Sequence, residues 1–516
     1  LFIIVILLIL KLKKGSETTQ VKNAAGRSVE TTIGGMSFKP FSGAHKYGFA
    51  SKIISLEKAL KNCQLKNGMT VSFHHQLRNG DFVVNQTLAA IKELGVKDIR
   101  LAQTALFTVH QPVIDYIKEG LITRIEGSLN DTVGDYVSKH PLKSPVILRS
   151  HGGRWGAVKT GELPIDIAII AASACDERGN CTGVIGDSAF GPISYSQIDA
   201  MMAKHVIVVT DNVVEYPCKP QEIQERYVDC VVQVDRIGDP KQIVSGSLKI
   251  TDDSEKLNIA KQCVDLMDAA GLIKNGMVFQ SGAGGISLAA VKYLGERLEE
   301  KNVVASCATG GLTKFIIDIY KAGRVKKMYY SQVFDTESIQ FIQNDPSLPA
   351  DIGHYADPTS KGRTADSLDS VVLGATEVDV HYNVNVNTHS DGRLLHGIGG
   401  HQDTAAGADL TIISTPIFRK ANPIIREDVT TLTTPGSVID AVVTNRGIAI
   451  NPIRKDLLKK IKDSIDIVPI EDLKNMAYDA TGKPQEPNLG DDITGIIKWF
   501  DGTVLDMVKV VKEEKT

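Results

Sequence analysis

The sequence predicts two α/β domains of related design, each built on a mainly parallel sheet, and three observations carry that prediction. First, the chain repeats itself, which is the feature to look for before secondary structure. KNGMTVSFHHQLRNGDF (66–82) and KNGMVFQSGAGGISLAA (274–290) begin alike, with Asn67 and Asn275 offset by 208 positions. VIDYIKEG ending at Gly120 resembles FIIDIYKAG ending at Gly323, and IDIAIIAASACD ending at Asp176 resembles SVVLGATEVD ending at Asp379, both offset by 203. HVIVVTD (205–211) and ADLTIIST (408–415) continue the series. The falling offset places about five extra residues in the first copy, between 68 and 120. Second, the matched strands are continuous apolar runs, as parallel strands covered on both faces are. Third, helical stripes lie between them, for example Val84, Leu88, Ile91 and Leu94 at spacings of three to four.

Taken in order, residues 1–20 form an apolar and basic leader expected to lie outside the fold, 21–255 the first domain and 256–516 the second. The leader LFIIVILLIL followed by KLKK is shorter than the ~20 apolar residues of a membrane span. A secretory signal would carry its charge before the apolar run rather than after it. TDDSEKLN marks the division near residue 255, and the tail from about 485 reads as a terminal helix with a charged end.

With 58 basic and 61 acidic side chains, 42% hydrophobic residues and 23% charged ones, the composition is that of a globular protein. A disordered chain, and nucleic-acid binding through bulk charge, are both disfavoured. The seven cysteines contain no C-x-x-C pair, so neither a disulfide framework nor a zinc ribbon is suggested. Cys175, Cys181 and Cys307 read as buried strand residues.

Ligands of open α/β sheets bind beyond the carboxyl ends of the strands, so the loops after the repeated KNGM strands are the first candidates. In the second copy the loop SGAGGIS (281–287) lets the backbone approach a ligand and offer N–H donors to a phosphate or oxyanion. In the first copy His74, His75, Arg78 and Asp81 replace those glycines. Two imidazoles and a guanidinium suit a polycarboxylate, because arginine grips a carboxylate with two parallel hydrogen bonds. RSHGGR (149–154) and HGIGGHQD (396–403) have the same mixture of histidine, charge and glycine. No metal site is expected, because adjacent histidines on a strand face opposite sides and no i, i+4 histidine pair with a glutamate is present. Nor are there phosphate-loop, dinucleotide or nucleophile-elbow motifs.

FSGAHKYG (41–48), SFHHQLRNGDFVVN (72–85), RSHGGR and HGIGGHQD together closely resemble the family of citrate lyase alpha subunits, within the wider group of CoA transferases and acyl-CoA hydrolases. The likeness runs from about residue 20 to the end, and the wider group's tandem CoA-transferase-like α/β domains agree with the duplication. It implies transfer of an acyl-carrier thioester from acetate to citrate in the cytoplasm. It also implies a multisubunit complex with an acyl-carrier (gamma) subunit bearing a dephospho-CoA-type prosthetic group, and a beta subunit that cleaves the citryl thioester. Acetyl-CoA is a possible surrogate, and no cofactor is bound covalently to this chain. An oligomer is expected, with neither membrane nor nucleic acid as partner.

The glycine loops match the family's thioester-contacting loops, so Gly284, Gly285, Gly399 and Gly400 are expected to be catalytic donors. Ser281, Gly282, Gly397, His401 and Asp403 are expected beside them around the thioester. Citrate is assigned to His74, His75, Arg78, His151, Gly152, Gly153 and Arg154 on the chemistry of the loops alone.

Many CoA transferases place a nucleophilic glutamate about 13 residues before an Ala-Gly pair; counting back from Ala322 and Gly323 reaches ATGG, so Gly310 or a neighbour stands there. Asn445 likewise stands where related sequences often carry an acid. Glu377 and Asp379, on a late strand, are left outside the catalytic set. These departures favour a route without a covalent enzyme thioester. The alternatives are an acyl-CoA hydrolase, a CoA transferase using free CoA, and a non-catalytic scaffold.

Overall fold

A computed structural model of the chain describes residues 19–22, 27–31, 50–244, 250–282, 284–345 and 351–512. The leader up to residue 18 and the FSGAHKYG segment at 41–48 therefore lie outside the described residues. By compactness residues 1–44 form one unit and 45–516 another. Within the first, Thr19–Lys22 and Ser28–Thr31 pair as an antiparallel hairpin.

The second unit contains both copies of the repeat, and their sheets have the same strand order. The first runs Ile122–Ile125, Ile99–Gln103, Thr70–Phe73, Ile167–Ala172, His205–Thr210, Cys230–Gln233, parallel throughout. The second runs Val325–Val333, Ala305–Leu312, Val278–Ser281, Ser370–Leu373, Thr411–Ser414, Ala441–Thr444, also parallel, and adds the antiparallel strand Gly447–Ile450.

The duplication extends to single side chains. Asn67 accepts from the Lys97 N–H and Asn275 from the Val304 N–H, each at 2.8 Å. Asp166 accepts from the Thr70 N–H and Asp369 from the Val278 N–H, again at 2.8 Å. Asp176 and Asp379 each close a turn, accepting from the side chains of Asn180 and Asn383.

Each sheet is covered on both faces, as its apolar runs require. In the second, alternate residues enter different clusters: Val372, Ile412 and Val443 pack with Phe279, whereas Val371, Ile413 and Val442 pack with Val378. The helix Val83–Glu93 buries Val84, Leu88 and Ile91 against the first sheet, as their spacing predicts. No helix among the described residues is long and apolar enough to cross a membrane.

Two expectations of detail differ. The tail is a hairpin, Leu489–Lys498 with Val504–Val511, rather than a helix. Its β-branched residues flank an Asp-Gly turn, and its first strand joins Val146–Leu148 of the first copy. Ile497 and Val508 thereby enter the first core. The polar stretch TDDSEKLN is a helix start rather than a linker, since Asp253 accepts from the N–H groups of Glu255 and Lys256 and caps Ser254–Ala269.

Candidate functional site

Both chains of strands begin at the centre of a sheet, build outward to one edge, then return to the other side. Thr70–Phe73 and Ile167–Ala172 are therefore neighbours at the point where the order reverses, where a crevice opens beyond the strand ends. His74 and His75 leave that crevice directly. The segment between Phe73 and the helix Val83–Glu93 is longer than its counterpart after Ser281, and carries the short 3-10 turn Arg78–Gly80. Arg78 adopts φ 52, a left-handed conformation uncommon for a side-chain-bearing residue. Asp81 ends the segment as a helix cap, accepting from the Val83 N–H at 2.7 Å.

This geometry sends Arg78 into the second copy. Its Nη2 donates to Gln332 Oε1 at 3.2 Å and lies 3.5 Å from the Val333 carbonyl, and its guanidinium stacks 4.6 Å from the Phe334 ring. Burial lowers its pKa to about 10. His75 lies beside it, with Nδ1 2.6 Å from Thr104 Oγ1 and Nε2 bonded to the Gln332 amide. The same amide donates to Tyr195 Oη at 2.8 Å. His151 completes the cluster, its ring stacked 6.1 Å from His75 and edge-on to Tyr195 at 4.9 Å. A cavity of about 20 Å³, room for about one water, lies among Thr104, Ser128, Ser150, His151, Arg154 and Tyr195. The largest cavity, about 790 Å³, is lined by Asp187, Asp211, Asp235 and Asp239, and such a lining repels a polycarboxylate.

His74 is buried one step behind, its Nε2 3.4 Å from Asp199. Asp199 in turn holds Arg154 through two hydrogen bonds of 2.9 and 2.8 Å. Arg154 is thus committed to a buried pair and supports His74. Desolvation pushes the His74 pKa down to about 3, against the pull of Asp199.

The glycine loops have different roles. Ser150 caps the helix His151–Thr160, and Asp403 of the second copy accepts from Ser150 Oγ at 2.7 Å and the Gly152 N–H at 3.1 Å. The Gly153 N–H is bonded to Ser150 Oγ, and the His151 N–H to the Gly399 carbonyl at 2.9 Å. Asp403 is fully buried, and desolvation raises its pKa to about 6. Packing accounts for Gly397 and Gly400, where a Cβ would meet Ser128 Oγ at 1.7 Å and Tyr355 Oη at 2.5 Å. Both ring nitrogens of His401 are engaged, with Thr434 Oγ1 at 2.8 Å and the Gly374 carbonyl at 3.1 Å.

In the other glycine loop, the Gly282 N–H is bonded to the Val372 carbonyl, whereas Gly284 and Gly285 open the helix Gly285–Glu300. Gly284 is exposed, and a Cβ there would meet nothing within 4 Å. A backbone donor can serve an incoming oxyanion at this end. Ser281 ends the preceding strand. Tyr355 joins the two glycine loops, donating to Gln280 at 2.9 Å while packing on Gly400.

Gly310 has φ +104, and a Cβ there would lie 2.9 Å from the Gln280 side chain, so no carboxylate can stand at this position without displacing Gln280. Glu377 is bonded to Arg426, Asn385 and Thr430, and Asn445 to Glu255. All seven cysteines are free and buried. Sequence reasoning missed Thr104, Tyr195, Asp199, Gln280, Gln332 and Tyr355.

Burial lowers the pKa of His75 well below its ordinary value, and those of His151 and His401 to about 4. An unfolded histidine takes up its proton near 6.5, so the unfolded state gains protons first as pH falls, and stability is lost below that value. Asp403 acts oppositely between about 6 and 4, because there the folded state binds the extra proton. At pH 5 each neutral histidine costs about 2 kcal/mol and the one raised aspartate returns about half of that, so a net loss of several kcal/mol is expected between pH 7 and 5. Denaturant unfolding at the two pH values tests this, and an unchanged stability would contradict it.

A family model described as citrate lyase, alpha subunit, matches residues 51–511. The citrate lyase alpha chain of Klebsiella pneumoniae is 40% identical over 461 residues, covering 89% of this chain and 91% of that one. A crystal structure of a citrate lyase alpha subunit from Streptococcus mutans in complex with citrate superimposes with a TM-score of 0.89 at 39% identity, covering 93% of this chain and 96% of the other. A 4-hydroxybutyrate CoA-transferase from Porphyromonas gingivalis shares the fold at 17% identity and a TM-score of 0.52, covering 83% and 98%.

Proposed function

Because the chain belongs to the citrate lyase alpha-subunit family, the transferase component of that enzyme, we propose that it exchanges acetate for citrate on an acyl-carrier thioester by direct attack of citrate. The substrates are then citrate and an acetyl thioester, and the products are a citryl thioester and acetate. The thioester is carried by the dephospho-CoA-type group of a separate acyl-carrier (gamma) subunit, with a beta subunit consuming the product in a cytoplasmic complex.

One observation carries the direct route: Gly310, where other CoA transferases hold a nucleophilic glutamate, has neither a carboxylate nor room for one. Citrate's own carboxylate therefore supplies the nucleophile. Its oxygen attacks the acetyl carbonyl, the C–S bond breaks, and a mixed anhydride and a carrier thiolate result. The thiolate then attacks the citryl carbonyl of the anhydride, and acetate leaves with the bridging oxygen. Charges and atoms balance without an enzyme acyl intermediate.

The chain contributes position and electrostatics. Arg78, already desolvated at the junction of the two copies, takes a citrate carboxylate, with His75 and His151 offering neutral ring nitrogens to the remaining oxygens. The N–H groups at Gly284 and Gly285, and the loop at Gly399 and Gly400, lie where backbone donors can receive the oxyanions of the two tetrahedral intermediates.

The test is to mix the purified chain with acetyl-CoA and isotopically labelled citrate, then repeat with the acyl-carrier subunit. Citryl thioester and acetate are expected together. Thioester hydrolysis without citryl product would instead identify a hydrolase, and an inert chain in both mixtures a scaffold.

A further inference from the structure

Among the residues that sequence reasoning missed, Gln332 has the most complete set of partners in the site. It ends the strand Val325–Val333 of the second copy, and all three of its side-chain partners belong to the first. Its two N–H bonds go to His75 Nε2 and Tyr195 Oη, and its carbonyl accepts from Arg78. The orientation of the amide is fixed by chemistry. Flipped, it would aim N–H groups at the guanidinium, donor against donor, and leave His75 Nε2 facing a carbonyl. His75 therefore accepts at Nε2 and donates from Nδ1 to Thr104 Oγ1, the tautomer that suits a ring held neutral by burial.

We propose that Gln332 is a positioning residue for citrate: it aims Arg78 and fixes the tautomer of His75, while its own neutral carbonyl leaves the guanidinium able to take a substrate carboxylate. The neutrality is the essential feature. A carboxylate of the same shape at this position would satisfy Arg78 permanently with a charge-assisted pair and would compete with citrate for it. It would also replace two donated bonds with acceptors, leaving His75 to turn or to take up a proton. The Val333 carbonyl and the Phe334 ring hold the rest of the guanidinium, so changing residue 332 alters what Arg78 faces more than where it lies.

This inference rests on Arg78 being a citrate contact, and the experiment separates the two. Citrate KM, acetyl-CoA KM and citrate binding are measured for wild type, Gln332→Glu, Gln332→Met and Arg78→Ala. Gln332→Glu is expected to raise the citrate KM by at least about tenfold, and Gln332→Met by clearly less, with acetyl-CoA KM unmoved in both. Equal effects of Glu and Met would reduce Gln332 to a packing role and overturn the proposal, as would an unchanged citrate KM in Gln332→Glu. If Arg78→Ala leaves citrate binding intact, the assignment of Arg78 itself fails instead.

Should either Gln332 variant fail to fold, the citrate complex of the wild-type chain decides. Arg78 on a citrate carboxylate, with the Gln332 amide still on His75, is the expected arrangement. An amide detached from His75, or Arg78 directed away from citrate, would overturn it.

Discussion

Arg78→Ala is expected to lower kcat/KM for citrate by roughly a hundred- to a thousandfold, the cost of losing a desolvated charge-assisted carboxylate contact. The acetyl-thioester KM should hardly change, because the proposed thioester donors are backbone groups at Gly284, Gly285, Gly399 and Gly400. Stability should fall only modestly, since the variant loses a stack on Phe334 and a bond to Gln332 but leaves no buried charge behind. Arg78→Lys should be intermediate in activity, because an ammonium keeps the charge without the planar fork that can grip two oxygens at once. Isothermal titration of citrate into the two variants checks this, and an affinity equal to wild type in Arg78→Ala would remove Arg78 from the site.

Gly152→Ala is expected to produce the largest loss of stability among the site glycines, roughly 3–5 kcal/mol. A Cβ there would stand 2.0 Å from the Ala356 carbonyl oxygen and 2.6 Å from Asp403 Oδ1. Neither neighbour is the flexible end of a side chain at the surface: one is backbone, the other a buried cap held by Ser150 and Gly152 itself. Relief requires the helix His151–Thr160 to move away from the second copy, which would also displace His151 from His75 and Tyr195. Gly284→Ala is the matching control, because its site is open and its φ of −76 suits any residue; its stability should stay within about 0.5 kcal/mol of wild type. Comparable unfolding midpoints for the two variants would contradict this account of the junction.

Much of this was legible in the sequence because the repeat is physical as well as textual. The apolar runs ending at Asp176 and Asp379 are corresponding strands, and the Asn67 and Asn275 side chains tie down corresponding loops. The loop bearing His74, His75 and Arg78 was identifiable because charged and imidazole groups replace glycines at a strand end. What the residues of that loop touch was not legible. Arg154 looked like a citrate ligand, yet its partner Asp199 stands 45 residues away in a helix with no distinguishing pattern. His401 and Asp403 looked like thioester contacts, but the structure engages both with protein groups. Gln332 and Tyr195 are neutral residues within or beside apolar segments, and nothing in their spacing announces that they meet. The closing hairpin was misread because its charged end drew more notice than the Asp-Gly turn at Asp501 and Gly502.

The central claim is that citrate attacks the acetyl thioester itself, and oxygen bookkeeping in a single turnover tests it most directly. Citrate labelled with heavy oxygen in its carboxylates is mixed with acetyl carrier and an excess of enzyme, and the first acetate released is analysed by mass spectrometry. Direct attack makes the bridging oxygen of the anhydride a citrate oxygen, so this acetate should carry one heavy oxygen and the protein none. Unlabelled acetate, with the heavy oxygen recovered in a carboxylate of this chain, would show that an enzyme side chain takes the acyl group first and would contradict the account.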